Sequence, residues 1–374
     1  MRAVLLIMSL VVLAGSLDAS QAPVRWVVDP APVLDIAGTS DNGDVAFGTA
    51  NWATRLPDGG VVVADAAAPG LRFFDARGRF VRQAGREGAG PSEFRTVTWV
   101  GRCGHGRVYA WDWIQRRLVQ FDSSGAYRKT IVVTATPVPY TTACSPSGVF
   151  AFLGIPQRRE MKGSDAGSTA TVVSGASPLV IADSSGTARL TLGDYPVGEL
   201  VAGAGAEGMR PLGRWTSIAL GSDRFYVGTA ESPSVDVFDL TGRRVVRFAV
   251  PVTPRAPTKE MQEAAINDLA LAVPRRFRDV AKAQMQNVPL PERLPPYRQI
   301  VVDPLGIVWV VVTESGDPET RLLAFDRSGR TIGVAVVPDG MRVFEVGHDY
   351  ILGAREDQDG EQHVQVWRLR RASR

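Results

Sequence analysis

The chain alternates short apolar segments with polar turns along most of its length. The apolar segments are rich in valine and are bounded by Gly, Pro, Asp and Ser, which predicts β-strands joined by tight turns. With 38 Gly and 25 Pro among 374 residues, long helices are excluded from most of the chain. The exception is residues 258–273, where apolar positions recur at helical spacing behind a threonine suited to cap a helix. A second short helix is expected within 275–287, so the pattern predicts an all-β protein with a helical insertion at about 257–287.

An internal repeat organises the first third of the chain. Residues 33–78 align without a gap on residues 80–125. The identical pairs include Gly38 with Gly85, Phe47 with Phe94, Trp52 with Trp99, Asp65 with Asp112 and Phe74 with Phe121. Self-similarity of this length is typical of repeat architectures, in which each copy forms one supersecondary unit.

Looser copies of this unit follow, each ending in an Asp-x-x-Gly turn. The aspartate can bond the turn backbone, and the glycine can adopt a positive φ. These turns lie at 75–78, 122–125, 183–186, 239–242 and 326–329. A last unit at 341–369 has only three strands, and residues 33–38 can supply the fourth. The five turns and the closing unit predict a six-bladed β-propeller, with the N-terminal strand closing the last blade and the helical insertion between blades 4 and 5.

The stretch GREGAGPSEF, residues 85–94, could cradle a phosphate or could connect two copies of the unit. Because it recurs at 38–47, we interpret it as a connector. Together with GRVYAWDWIQRRLVQFDSSGAY, residues 106–127, it resembles an NHL repeat, although Ser92 replaces the usual last glycine. The chain is thus similar to exported bacterial six-bladed propellers of the NHL-repeat type, a resemblance that implies the fold and no particular activity.

The first 22 residues have the features of a secretory signal peptide. An arginine precedes an apolar run, and Ser20 and Ala22 suit a cleavage site. An uncleaved membrane anchor is the alternative, although the apolar run is shorter than the roughly 20 residues that span a bilayer. Ser16 stands where a lipoprotein motif needs a cysteine. We predict an exported protein, periplasmic or secreted, with a single mature domain at 23–374 and no membrane span after cleavage.

Charge and cysteine content narrow the choice of partners. The 42 basic and 39 acidic residues give a net charge of +3 without long runs of one sign, so nucleic acid is not an expected partner. Export permits a disulfide, and Cys103 and Cys144 lie in comparable contexts in neighbouring repeats. Their pairing stays open, because equivalent points of two repeats can be too far apart to bridge. We expect a monomer.

The lengths of the loops predict which face of the propeller binds a ligand or partner. The short turns lie on one face of the propeller, and the long insertions at 155–177, 193–214 and 251–298 lie on the other. Insertions in repeat proteins tend to map to the binding face. The helices could instead only plug the ring.

Aromatic and arginine side chains in these connections form the candidate ligand-binding set. Such pairs suit an anionic or carbohydrate-like ligand, or a protein partner, through stacking and forked hydrogen bonds. A solvated arginine and a tryptophan packed between blades, as for Trp52 and Trp99, are the structural alternatives. The predicted ligand-binding residues are Arg95, Trp113, Arg116, Tyr140, Arg158, Arg210, Arg214, Trp215 and Arg298, with Trp52, Arg159 and Tyr297 beside them.

Catalytic signals are weak. GAGAEG at 203–208 is not followed by the long helix that a dinucleotide site needs, and no Gly-x-Ser-x-Gly motif occurs. The acidic segment 355–361 could hold a hard cation through Asp357, Asp359 and Glu361, but a hairpin turn explains it as well. We therefore predict neither a cofactor nor a metal site, and favour a binding protein over an enzyme. The alternative is a lactonase-like, metal-dependent hydrolase or lyase that uses channel carboxylates such as Asp65, Asp112, Glu231 or Glu314.

Overall fold

The structure is a computed structural model, and it describes residues 24–37, 47, 49–65, 69–134, 139–154, 171–202, 208–271, 277–313, 320–338, 340–358 and 360–372. The predicted signal peptide, Arg158 and Glu314 lie outside these residues. In chain order the elements are β1 (Val24–Val28), β2 (Leu34–Ala37), β3 (Ala50–Arg55), β4 (Val61–Asp65), β5 (Leu71–Phe74), β6 (Phe80–Ala84), β7 (Arg86–Glu87), β8 (Glu93–Phe94), β9 (Val97–Cys103), β10 (Arg107–Asp112), β11 (Arg117–Phe121), β12 (Tyr127–Val132), β13 (Pro139–Cys144), β14 (Phe150–Gly154), β15 (Thr171–Ala182), β16 (Ala188–Ala202), β17 (Gly208–Met209), β18 (Ser217–Leu220), β19 (Arg224–Gly228), β20 (Ser234–Asp239), β21 (Arg244–Ala249), α1 (Lys259–Leu271), α2 (Arg278–Met285), β22 (Gln299–Val302), β23 (Val308–Thr313), β24 (Thr320–Phe325), β25 (Thr331–Val337), β26 (Arg342–Val346), β27 (Tyr350–Glu356) and β28 (Gln362–Arg371).

Consecutive strands pair into antiparallel sheets, as expected for an all-β propeller. The strands β3–β6, β9–β12 and β18–β21 form four-stranded sheets, and β13–β16 form another to which the short β17 is added. The strands β22–β25 and β26–β28 belong to one nine-stranded sheet, joined by β1 and β2. Strands such as β4 and β14 are buried along their whole length, whereas β6 and β12 are largely exposed. Burial on both faces of the inner strands indicates that neighbouring sheets stack face to face.

The N-terminal segment pairs with the last strand of the chain, as the sequence predicts. Strand β2 pairs antiparallel with β28, with Leu34 opposite Val366. Strand β1 was not predicted. It pairs parallel with β25 and antiparallel with β28, and thereby ties two successive sheets together. The indole of Trp26 in β1 packs edge-on against Trp309, with ring centroids 5.3 Å apart.

The Asp-x-x-Gly turns have the predicted geometry. Oδ1 of Asp75 accepts hydrogen bonds from the backbone N–H groups of Arg77 (2.9 Å) and Arg79 (3.0 Å), and Gly78 adopts a φ of 78°. The same pair of backbone hydrogen bonds is made by Asp122, Asp183, Asp239 and Asp326. Each turn therefore satisfies its own backbone donors locally.

The stretch at 85–94 is a packed connector. Arg117 reaches across from β11 and donates hydrogen bonds to the carbonyl oxygens of Ala89, Gly90 and Glu93. The carboxylate of Glu93 accepts from the Gly90 N–H at 2.7 Å and pairs with Arg86 at 2.8 Å. Because these groups bond to one another, the contacts of the stretch support the connector interpretation over a phosphate site.

Cys103 and Cys144 form a disulfide, which answers the question that the sequence left open. Their Cα atoms are 5.9 Å apart. The two residues end β9 and β13, the first strands of successive sheets. The bond therefore links two sheets directly.

One predicted loop is a β-ribbon. Residues 193–214 were expected to form a loop insertion, but β16 runs on to Ala202 and pairs with the extended β15. The Gly and Pro residues that indicate a loop are accommodated at register shifts, such as the one between Gly175 and Ala176. The predicted helices are present as α1 and α2, and the Thr258 hydroxyl accepts from the Met261 N–H at 3.4 Å, as expected of a cap. Neither helix of the described part is long and apolar enough to cross a membrane.

Candidate functional site

A cavity of about 1010 Å³ lies between the first strands of the sheets. Its wall includes side chains from β3, β9, β13, β18, β22 and β26. One end is lined by α1, Trp113, Trp215, Tyr297 and Arg298, and we call it the helical end. The opposite end, the turn end, is lined by the turns that follow the first strands, including Pro146, Gly221 and residues 303–306.

Helix α1 presents an apolar stripe to the cavity. Met261, Ala265 and Leu269 recur at intervals of four residues and all line the wall, as expected for one face of an α-helix. The helix is tied to a later part of the insertion, because Gln262 Nε2 donates to the carbonyl of Val288 at 3.1 Å. The predicted helical insertion therefore forms part of the cavity wall.

Aromatic rings form much of the rest of the wall. Trp52 packs against Phe344 with ring centroids 5.4 Å apart, and both line the cavity. Trp215 lies so close to Gly198 that a Cβ there would be 2.7 Å from its ring. Trp52 and Trp99 pack into the core, as their repeated positions indicate, and also contribute to the wall.

The structure brings together only part of the predicted ligand-binding set. Trp113, Arg210, Trp215 and Arg298 line the cavity, together with Trp52 and Tyr297. Arg95 and Arg116 are exposed and do not line it. Tyr140 belongs to β13, but its side chain, like all of Arg158 and Arg159, lies outside the described residues. Ligand contact by any of them stays a prediction.

Arg210 and Arg214 are held by an acidic partner that the sequence analysis missed. Glu199 on β16 is only 7% exposed. Its carboxylate pairs with Arg214 Nη2 at 2.7 Å and with Arg210 Nη1 at 3.1 Å. Arg210 also donates from Nε and Nη2 to the carbonyl of Pro289, which ties the ribbon to the helical insertion. Burial would raise the pKa of Glu199, but the two guanidinium groups outweigh it and lower that pKa below the ordinary value of 4.5.

Arg298 lines the same end of the cavity but has a different environment. Its side chain is exposed, and it makes no hydrogen bond or ion pair with any other described residue. Its backbone is fixed, because its N–H donates to the carbonyl of Val311 at 2.9 Å. The main chain at Arg298 is thus fixed, and no described residue accepts a hydrogen bond from its guanidinium.

A second carboxylate that the sequence analysis missed, Glu345 on β26, lines the cavity. It accepts hydrogen bonds from the Thr54 hydroxyl at 2.6 Å and from the Tyr350 hydroxyl. Burial, and then the charge of Glu345, raise the pKa of Tyr350 well above its ordinary value. The guanidinium of Arg55 lies 4.4 Å from the centre of the Tyr350 ring. No local pattern identifies Glu345, because its partners come from other strands.

The carboxylates that the enzyme hypothesis invokes are otherwise engaged. Asp65 is buried and pairs with Arg72 at 3.0 Å. Asp112 is buried and accepts from the Arg95 N–H at 2.8 Å and from Gln115 Nε2 at 2.6 Å. Neither lines the cavity, and the exposed Glu231 does not line it either.

The acidic segment at 355–361 joins β27 to β28, and the contacts of its described residues support the hairpin turn that one of its two interpretations predicts; Asp359 lies outside the described residues. Oδ1 of Asp357 accepts from the Glu361 N–H at 2.8 Å. With His363, these two residues form the one group of potential metal ligands found among the described residues, and it lies away from the cavity. His363 Nδ1 is 2.8 Å from Asp35 Oδ1 on β2. Burial acts to lower the pKa of His363, but Asp35 and Asp357 outweigh it and raise that pKa above 6.5.

Comparison with known proteins identifies a likeness of fold. A member of the DUF4221 family from Bacteroides vulgatus superimposes with a TM-score of 0.51 at 12% identity, covering 94% of this chain and 100% of that one. An inactive variant of virginiamycin B lyase from Staphylococcus aureus has a TM-score of 0.45 at 13% identity, with 92% and 99% covered. Regucalcin, a calcium-binding protein from Agrobacterium tumefaciens, has a TM-score of 0.45 at 11% identity, with 87% and 92% covered. No family model and no curated protein matches the chain.

Proposed function

We propose that the chain is an exported six-bladed β-propeller of the NHL-repeat type that binds a small ligand in its central cavity. The strand pairing supports the blade count, because the sheets β3–β6, β9–β12, β13–β16, β18–β21, β22–β25 and β26–β28 with β2 follow one another along the chain. The disulfide supports export, because such bonds persist in oxidising compartments. The mature protein would be the single domain 23–374.

The cavity is the observation that carries the proposal. Its volume of about 1010 Å³ is near the upper end of the range for small-molecule sites. Its wall combines aromatic and aliphatic side chains with polar and charged ones, so it offers both apolar contact and hydrogen-bonding groups to a ligand. The ligand would enter at the helical end, between α1 and Trp113.

A metal-dependent hydrolase or lyase of the lactonase type is the second candidate. It is favoured by one observation, the carboxylate of Glu345 in the cavity wall. Metal analysis of the purified protein separates the two candidates. The binding protein is expected to keep its ligand affinity after dialysis against a chelator, whereas a stoichiometric metal that is lost in Glu345→Gln would favour the enzyme.

A pair of variants on α1 tests the binding site. Ala265 lines the cavity, whereas the neighbouring Ala264 is exposed. Ala265→Trp is expected to fill part of the cavity and to weaken binding of the neutral fluorophore N-phenyl-1-naphthylamine by about tenfold or more. Ala264→Trp adds the same bulk on the solvent side and is expected to leave the affinity unchanged. Fluorescence titration measures both affinities.

Two results would contradict the proposal. The first is an affinity for the fluorophore that is the same in the two variants and in the unsubstituted protein. The second is an absence of saturable binding by the unsubstituted protein. Circular dichroism of each variant establishes that a loss of binding does not come from unfolding.

A further inference from the structure

We propose that the ligand is an amphipathic anion, whose acidic head group is bound by Arg298 and whose apolar body lies against the aromatic wall. The inference rests on the proposed function and adds the chemical class of the ligand to it. Carboxylate, sulfonate and phosphate head groups share the required chemistry, because each offers oxygen atoms to the forked donors of a guanidinium.

Ion pairs distinguish Arg298 from Arg210, the other arginine that lines the helical end. Arg210 is balanced by Glu199 at 3.1 Å. At the turn end, Arg327 pairs with Asp223 at 2.6 Å. A third arginine of the wall, Arg102, forms no ion pair with a described acidic side chain, but it lies near the end of β9, towards the turn end. Among the described residues, Arg102 and Arg298 are the arginines of the wall that form no ion pair with an acidic side chain, and Arg298 is the one of these two at the helical end.

The backbone at Arg298 is rigidly held, which prepares it for a ligand. The preceding residue, Tyr297, is 2% exposed, and its hydroxyl donates to the carbonyl of Ser234 at 2.8 Å and accepts from the Ala230 N–H at 3.2 Å. Burial raises the pKa of Tyr297 to about 12, so this hydroxyl stays protonated. The following residue, Gln299, begins β22 and pairs with Val311. A head group bound by Arg298 would thus meet a donor whose main chain needs no reordering.

The helical end of the cavity also offers apolar side chains. Leu294, Met261 and Leu269 line the same end of the cavity. A charge pair beside a wall of low polarity is stronger than the same pair in water. A neutral sugar would leave the arginine charge unbalanced, and an apolar ligand without a head group would not use it. An anion with an apolar body uses both features at once.

Two fluorophores that share a naphthylamine body test this inference. 8-Anilinonaphthalene-1-sulfonate carries a sulfonate, and N-phenyl-1-naphthylamine lacks it. Arg298→Gln is expected to weaken binding of the sulfonate about tenfold and to leave binding of the neutral compound unchanged. Arg255→Gln is the matched control, because Arg255 is exposed on the same insertion and does not line the cavity. It is expected to change neither affinity.

Competition against the bound sulfonate distinguishes the head groups. Octanoate and octyl phosphate are expected to displace it, and the stronger of the two identifies the preferred anion. Octyl glucoside carries the same tail on a neutral sugar and is expected to displace it much less well. Displacement by octyl glucoside at the concentration at which octanoate acts would overturn the inference in favour of a carbohydrate.

The failure of this inference is distinct from the failure of the proposed function. If Ala265→Trp weakens binding of both fluorophores but Arg298→Gln changes neither, the cavity binds ligands and the anionic class is wrong. If Ala265→Trp changes neither, the cavity itself is not the site. Should Arg298→Gln not fold, the unsubstituted protein still decides, because equal affinity for the two fluorophores at low and high salt would overturn the inference.

Discussion

Arg210 and Arg214 form one group of arginines and Arg298 forms a second, and the two groups differ in what they can do. Arg210 and Arg298 line the same end of the cavity, whereas Arg214 does not line it. Arg210 and Arg214 share the carboxylate of Glu199, whereas Arg298 pairs with no described residue. All three arginines were predicted to bind ligand from their place in the long connections. The comparison teaches that a position in a long connection predicts where an arginine lies. Its ion-pair partner decides whether its guanidinium is available to a ligand.

Burial explains the difference in energetic terms. Glu199 is 7% exposed, and the side chain of Arg210 is 11% exposed, so each ion has lost most of its water and depends on the other. Arg298 is exposed and stays hydrated, and its side chain has no ion-pair partner among the described residues. The first group is therefore expected to stabilise the fold, and the second to serve recognition.

The largest expected effect comes from removing the shared carboxylate. Glu199→Gln keeps the side-chain shape but leaves two arginines without their counter-charge, and the side chain of one of them, Arg210, is only 11% exposed. We expect a loss of about 3 kcal/mol in the free energy of unfolding, at the lower end of the range for a broken buried pair, because the Arg214 side chain is 42% exposed. Urea denaturation at pH 7 measures it.

Glu263→Gln is the matched control for this measurement. Glu263 is exposed on α1, and its substitution is expected to change the free energy of unfolding by less than about 0.5 kcal/mol. Equal free energies of unfolding for the two variants would contradict the comparison, because Glu199 would then not stabilise the fold.

A smaller effect is expected when the two kinds of arginine are changed in the same way. Arg210→Gln removes two hydrogen bonds to the carbonyl of Pro289 as well as an ion pair, and we expect a loss of about 1–2 kcal/mol. Arg298→Gln is expected to change the free energy of unfolding by less than about 0.5 kcal/mol. Urea denaturation of both variants tests the contrast.

Hydrogen exchange sharpens the same comparison. Because Arg210 ties the ribbon to the insertion, amides of α1 are expected to exchange faster in Arg210→Gln and at the unsubstituted rate in Arg298→Gln. Faster exchange in both variants would mean that Arg298 also supports the insertion, and its role would then be structural.

The elements that the sequence predicts well are those with a local cause. An Asp-x-x-Gly turn bonds its own backbone, and α1 carries its cap and its apolar stripe within a few residues. Strand β2 was predictable because the last unit of the sequence has only three strands, and few segments of the chain could supply a fourth. Strand β1 was missed, since its two partners lie hundreds of residues away and its own sequence shows no repeat.

The site could be predicted only in outline, for a related reason. Several residues of the cavity wall, such as Trp113 and Trp215, lie in connections that the sequence identifies, whereas ligand binding at this face stays a prediction. The pairing of Glu199 with Arg210 depends on how far β16 extends and on its register with β15, which includes several shifts. A segment rich in Gly and Pro indicates a loop, so that register was not visible. The freedom of Arg298 could not be predicted without knowing which acids lie near it.

The smallest expected effect is a pH dependence that separates the two groups. The pKa of Glu199 is lowered in the folded protein, so its contribution is fully present above its unfolded pKa, near 4.5, and is lost as the pH falls through the lower folded value. The difference in unfolding free energy between the unsubstituted protein and Glu199→Gln is therefore expected to be constant from pH 7 to about pH 5 and to shrink below that. Gln does not titrate, so the change reports Glu199 alone.

The corresponding difference for Arg298→Gln is expected to stay flat across the same range, because no described carboxylate pairs with Arg298. Urea titrations at several pH values measure both curves, and a difference for Arg298→Gln that shrinks in parallel would indicate a carboxylate partner for Arg298 and remove the distinction between the two groups.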